Sequence, residues 1–288
     1  MPVIKVFSSS GAHLAAGVMS AMAVGLSEPV PQTRARVPKN KAEKTRRGNP
    51  NQLTCKQHVF PARSIERFAG EDGRVSVHDL RTGRDWRPKP RDKLFCARRA
   101  WDQRAETGYM KRIEDEFQTV AKVIIEGQTT LSTPEQRQAV EGLFALWYMR
   151  GRYRELAAQE ITLNGIEGDD LTKEQEENLE AKGYLFSRRG GRIPARQLNG
   201  LWLQRRIDGY RGDLSSIGRW GVITPESGEF LVADVPSHGI LPLTPKLALV
   251  ASSPDGMISV ENLALLNRAS IADSQYYFFA RDLSACPR

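Results

Sequence analysis

Gln57-His58-Val59-Phe60-Pro61-Ala62-Arg63-Ser64-Ile65-Glu66-Arg67-Phe68 is the stretch on which the reading of this chain turns. Proline is tolerated at the first helical position, because the amide it lacks would have no intrahelical partner there. Pro61 therefore opens a short helix, with Ile65 and Phe68 on its core side at a spacing of three. His58 stands just before it, where the positive end of the helix dipole disfavours imidazolium. A neutral ring at that place suits a general base. The competing expectation is that the ring only bonds the open N–H or C=O groups at the helix entrance.

Upstream of this stretch the chain changes character. Residues 1–50 hold eight Lys/Arg against Glu28 and Glu43, which is six of the eight net positive charges of the 288-residue chain. A basic balance confined to a tail argues for solvation or loose anionic contact rather than a binding groove. Lys5 and the apolar residues 14–26 faintly resemble a secretory signal, but Ser8-Ser9-Ser10-Gly11 and His13 interrupt it and a basic segment follows. Met19 and Met22 are alternative starts. The sequence therefore predicts a disordered basic tail over 1–52 and one α+β domain over 53–288, with 160–200 as a candidate helical insertion. Cys55, Cys96 and Cys286 fit no disulfide framework and no zinc spacing, so a reducing, cytoplasmic setting is expected. No apolar run reaches the length of a membrane span.

Downstream, alternation over 74–79, a Thr82-Gly83 turn and Asp85-Trp86 predict a hairpin. Residues 81–104 carry nine Lys/Arg with Trp86 and Trp101 between them. Basic and aromatic residues together are what a nucleic-acid surface uses, although tryptophans also serve as packing anchors. Met110, Ile113, Phe117, Val120 and Ile124 mark an amphipathic helix over 109–126. Thr133-Pro134-Glu135-Gln136 caps another, which carries Val140, Leu143, Phe144 and Trp147. Leu171-Thr172-Lys173-Glu174-Gln175 caps a third, dense in glutamate and expected on the surface. Arg188-Arg189-Gly190-Gly191-Arg192 reads as a surface turn, since it lacks the spacing of a phosphate-binding loop. In the last third, 220–223 and 230–233 read as a hairpin around Pro225-Glu226-Ser227-Gly228. Residues 241–245 are extended, and strands at 247–251 and 275–280 flank a helix at 260–272. The fold class is α+β, with an N-terminal hairpin, a helical middle and a small antiparallel or mixed C-terminal sheet.

Four further residues attract attention. Glu114 and Arg150 each sit at the edge of an apolar helix stripe, where an unpaired charge is costly, so they are expected to pair with each other across two helices. Asp234 ends an apolar strand beside Pro236, a place that suits a catalytic carboxylate or an Asx-turn equally. His238 lies four residues on, and an Asp/His pair in one loop is a weak metal signal.

Taken in order, several of these segments resemble the mainly bacterial domain-of-unknown-function family 4238. The shared pattern is His58, Pro61, Ile65 and Phe68, then the hairpin at 75–79, Ile113-Glu114, Arg150, the apolar strand to Asp234-Val235-Pro236, and Pro242–Pro245. Ala233 stands where the family has Ser, and Gly151-Arg152 where it has Thr-Pro. The resemblance covers about residues 53–282 and implies no established activity, cofactor or partner.

The expectation for function is a hydrolase or transferase acting on a phosphate-bearing substrate, RNA or DNA included. His58 would act as base or acid, Arg150 as anion stabiliser, and Glu114 and Asp234 as orienting carboxylates. Arg63 and Arg152 are the candidate substrate-binding cations, and neither metal nor cofactor is implied. The alternative is a non-catalytic module that binds nucleic acid through the tail and residues 81–104, or a protein-interaction accessory. The family's character adds a bacterial conflict or mobile-element setting.

Overall fold

The computed structural model describes residues 42–155 and 160–288. The signal-like segment, the alternative starts and the predicted tail up to residue 41 lie outside the described residues. Residues 42–52, read from the sequence as tail, are in place. Glu43 pairs with Lys173, Arg188 and Arg196, and Arg46 with Glu174 and Glu177. Charge anchors this segment rather than apolar burial, so a hydropathy reading passes over it.

The first strand is β1 (Lys56–His58), which leads into α1 (Ala62–Glu66). β2 (Ser76–Asp79) and β3 (Arg84–Trp86) form the expected hairpin, with Gly83 at φ +65 in its turn. Only glycine adopts that conformation without steric cost. β4 (Cys96–Arg98) returns antiparallel to β1, placing Cys96 opposite His58. A π-helical turn (Ala105–Met110) then runs into α2 (Lys111–Ile125), whose predicted stripe of Ile113, Phe117, Val120 and Ile124 is buried throughout. α3 (Pro134–Arg152) follows, with the Thr133 side chain accepting from Gln136 N–H. Every residue of α3 from Ala139 to Gly151 is buried, so this helix is the central spine, covered on all sides.

β5 (Ile161–Thr162), α4 (Lys173–Ala181) and β6 (Arg192–Ile193) come next, with β5 and β6 paired antiparallel. Arg188 and Arg192 exchange backbone hydrogen bonds around Gly190-Gly191, which is the expected tight turn. α4 has its capping box, Thr172 with Gln175, but it is not a free surface helix. Its Glu176, Glu177 and Glu180 are buried and face Arg188, Arg46, Arg99 and Arg196. Glutamates are tolerated inside because each meets an arginine.

α5 (Ala195–Leu214) packs on α3 through Leu203, Ile207, Tyr210 and Leu214. The remaining strands are β7 (Trp220–Pro225), β8 (Val232–Ala233), β9 (Ile240–Thr244), β10 (Leu247–Ala251) and β11 (Gly256–Ile258). α6 (Val260–Asp273) and β12 (Tyr277–Ala280) complete the order. The C-terminal sheet is mixed, in the order β11-β7-β10-β9, with β11 parallel to β7. Pro242 lies in the edge strand β9, where a missing amide leaves no gap in the ladder.

The predicted hairpin of β7 and β8 does not form. β8 instead joins β3-β2-β12-β8, the sheet that also holds the N-terminal hairpin. Phe230 N–H bonds Pro245 C=O and Glu229 N–H bonds Ala285 C=O, which draws the chain away from β7. Gly228, at φ +83, packs too closely on Pro287 and Leu263 to admit a side chain.

One close approach joins the spine to this second sheet. A Cβ at Gly151 would stand 2.6 Å from Asp234 O and 3.0 Å from Val235 Cγ2. Alanine is favoured over glycine in a helix by about 1 kcal/mol. Overpacking against backbone costs about 1–3 kcal/mol and outweighs that gain. Gly151→Ala is therefore expected to destabilise the protein, read as a lower urea midpoint at unchanged slope.

Candidate functional site

The predicted pair forms. Arg150, at the C-terminal end of α3, is 1 % exposed and its Nη1 bonds Glu114 of α2. The same nitrogen donates to the His58 carbonyl at 3.0 Å, and Nη2 donates to Glu106 Oε2 at 3.1 Å. The guanidinium also lies 5.4 Å from the Trp101 ring centroid. Trp101 is fully buried, and its indole N–H donates to Glu106 Oε2 at 2.6 Å. Its main chain is held by Gln57, whose amide donates to Trp101 C=O at 2.9 Å and accepts from Ala100 N–H at 2.7 Å. Desolvation works against the Arg150 charge, but Glu106 and Glu114 override it and raise its pKa.

Glu106 is the partner the sequence reading missed. It stands eight residues before Glu114, outside a helix expected to begin at Tyr109. The wide π-helical turn absorbs the extra residue and brings Glu106 round to the side of Glu114.

His58 is not at the helix entrance. It ends β1, and α1 is a five-residue helix whose first turn begins after Pro61. Its pKa is nevertheless lowered, chiefly by burial; Glu114 and the Pro90 carbonyl oppose this, and Arg150 and Arg91 assist it. The ring Nε2 is buried without a partner among the described residues. His58, Glu114 and Arg150 thus come together, but the His58 link to Arg150 is its backbone carbonyl.

Asp234 does not offer a free carboxylate. It is 1 % exposed, and its oxygens accept from Gln275 N–H at 2.8 Å and Tyr276 N–H at 3.0 Å. Nor does it share a ligand with His238, whose Nδ1 lies 2.6 Å from Asp273 Oδ1. Asp273 in turn accepts from Ser237 N–H at 2.7 Å and His238 N–H at 3.2 Å. The two aspartates form a reciprocal clasp, each binding the backbone of the other's segment. Among the described residues no group of three or more His, Cys, Asp or Glu is placed to hold a metal.

The two candidate substrate cations lie elsewhere. Arg63 is exposed on α1. Arg152 is two residues beyond Arg150, close to the opposite side of the helix, and its Nη1 donates to Tyr148 Oη at 3.0 Å. Arg154 has the role nearer Asp234: it donates to Leu94 C=O at 2.6 Å and Cys96 C=O at 3.0 Å, and lies over the Tyr276 and Tyr277 rings.

The charge balance limits the chemistry. One guanidinium faces two carboxylates with a largely neutral imidazole beside them, leaving a surplus of negative charge. Such a site repels phosphate. It acts as a buried polar joint between β1, α2 and α3.

Comparison with known proteins gives no match to any family model, curated protein or solved structure.

Burial dominates at Asp234 and lifts its pKa from 3.8 to about 6 despite the two N–H donors. A carboxyl whose folded pKa is raised contributes stability below the unfolded value and loses it as pH rises through the folded one. Acidifying from about pH 7.5 to about pH 5 should therefore favour the fold at this residue by about 1 kcal/mol. The lowered pKa of His58 works the other way in the same window, so the comparison is with Asp234→Asn. Asp102, likewise raised to about 6 by burial, and His238, raised by Asp273, favour the fold on acidification in both proteins. Urea unfolding at the two pH values should therefore show a gain about 1 kcal/mol larger in the wild type than in the variant.

Proposed function

We propose that this protein is a non-catalytic module that binds single-stranded nucleic acid through β3 and the chain that follows it. The observation that carries this reading is Trp86. Of the two tryptophans in the basic segment, Trp101 is a buried anchor, whereas Trp86 is 40 % exposed. It ends an edge strand in which Arg84 and Asp85 are also exposed. Arg84, Lys89, Lys93 and Arg98 are exposed as well, and make no ion pair with a described residue. An exposed indole in a segment that also carries unpaired cations supplies a face for base stacking and charges for phosphates. Arg81, Arg87 and Arg91 contribute less, since Asp79, Asp72 and Glu66 pair with them.

The rival reading is a hydrolase or transferase acting on a phosphate-bearing substrate at His58. Its support is the meeting of His58 with Glu114 and Arg150. Against it stand the engaged Nη groups of Arg150, the backbone-bound Asp234 and the negative balance around them. Kinship with domain-of-unknown-function family 4238 is proposed on the order of the motifs alone and supplies no chemistry.

Fluorescence anisotropy with a labelled single-stranded oligonucleotide separates the two. At about 50 mM salt the wild type should bind, and affinity should fall as salt is raised. Trp86→Ala should weaken binding about tenfold or more, the loss of one stacked base. His58→Ala should leave it unchanged. No anisotropy change at low salt would overturn the binding reading, and strand cleavage abolished by His58→Ala would establish the rival.

A further inference from the structure

Of the twelve large apolar side chains that are exposed among the described residues, six lie within residues 161–201: Ile161, Leu163, Ile166, Tyr184, Leu185 and Leu201. A folded chain rarely gathers so much apolar surface in one place unless something covers it. Ile166, Leu185 and Leu201 join Phe186, Ile193 and Leu198 to line an open groove of about 200 Å³. Ile161 stands directly opposite Ile193 in the β5–β6 pair, so its side chain extends the same face. Pockets for drug-sized ligands run from about 300 Å³ upward. This groove is smaller, and it suits a few aliphatic side chains of a peptide.

The groove lies beside the point where the described chain begins. Ser187 and Gln197 complete its wall, and Arg188 and Arg196 are their immediate neighbours in the chain. Arg188 Nη2 donates to Glu43 Oε1 at 2.7 Å, and Arg196 Nη1 bonds the other oxygen of that carboxylate. Arg46 N–H donates to Glu177 at 2.7 Å and fixes the chain three residues on. Residues 14–26 therefore join the described structure next to the groove. The seventeen residues from Leu26 to Glu43 reach about 60 Å at full extension, ample to bring the segment back onto it. Residues 14–26 carry no charged side chain, and Leu14, Val18, Met22 and Leu26 recur at every fourth position. Anchors at about this spacing are how a peptide lays one face into an apolar groove. The intervening chain brings Arg34, Arg36, Lys39 and Lys41. Charge at the groove is complementary: Glu167 follows Ile166, and Asp169 forms a β-bridge with Arg188. Both carboxylates are exposed and make no ion pair with a described residue.

We propose that this groove is the seat of residues 14–26 of the same chain, with their apolar side chains on Ile166, Leu185 and Leu201 and the basic residues 34–41 beside Glu167 and Asp169. A tether holds its segment at an effective concentration on the order of millimolar, so modest apolar contact is enough to seat it. A second copy or an unlinked partner, present at far lower concentration, competes poorly with it. Seating covers the apolar face that the β5–β6 region leaves open. The groove shares no residue with the Trp86 surface, and the proposal does not rest on the nucleic-acid reading.

Photo-cross-linking of the full-length chain tests this. With Ser20→p-benzoylphenylalanine as the probe, irradiation should give a product cross-linked within one chain, and mass spectrometry should map the bond to residues 161–201. Leu185→Glu/Leu201→Glu changes two exposed side chains and should lower that yield about tenfold or more, what losing a buried aliphatic contact is worth. Val18→Asp/Met22→Asp should do the same from the segment's side, with residues 42–288 unaltered. Cross-links spread outside residues 161–201, a cross-linked dimer in place of the intramolecular product, no adduct at all, or wild-type yield in either folded double variant would each overturn the proposal.

Discussion

A guanidinium removed from water has to be matched by charge and hydrogen bonds, and Arg150 meets that demand with groups from three parts of the chain. Glu114 comes from α2, Glu106 from the π-helical turn before it, and a carbonyl from β1. An unpaired buried charge costs several kcal/mol, so these partners are fixed in place once the spine helix is packed. Trp101 completes the arrangement by offering its ring to Arg150 and its N–H to Glu106. The partners that neutralise Arg150 also occupy both of its Nη groups, while its Nε has no partner among the described residues.

The rest of the molecule repeats this use of buried polar groups as fasteners. Arg99 and Arg196 share Glu180, and Glu43 reaches from the start of the described chain to Arg188 and Arg196. These contacts tie the β5–β6 region and α4 to the main body, where apolar cover is thin. On the other side, Asp234 and Asp273 cross-brace two loops through backbone amides. Such contacts order the chain without creating a reactive group, since the carboxylates already have their donors. The exposed edge of β3 lies away from these fasteners, at the end of its sheet.

Local patterns were legible in the sequence wherever local physics decides the outcome. The stripe from Met110 to Ile124, the Thr133 and Thr172 caps, the Thr82-Gly83 turn and the strand at 247–251 all appear as read. The Glu114–Arg150 pair was legible too, because each charge sits on an apolar seam. Long-range choices were not. β7 and β8 read as a hairpin because neighbours in sequence usually pair, yet backbone bonds to Pro245 and Ala285 send β8 to the other sheet. The 20-residue α5 carries Leu203, Ile207, Tyr210 and Leu214 at spacings of four, three and four. That signal was present and was obscured by the arginines between them. The glutamates of α4 looked solvent-facing because their arginine partners are distant in sequence. Asp234 kept both of its expected roles until the structure placed Gln275 and Tyr276 against it. No pattern within one segment reveals that contact.

The account stands on Arg150 being a structural joint, and urea unfolding of Arg150→Ala tests this most directly. Removing the guanidinium leaves Glu106 and Glu114 facing each other without a counter-charge, and the expected loss is about 3–5 kcal/mol. A variant that unfolds within about 0.5 kcal/mol of the wild type, the range of an ordinary surface substitution, would contradict it.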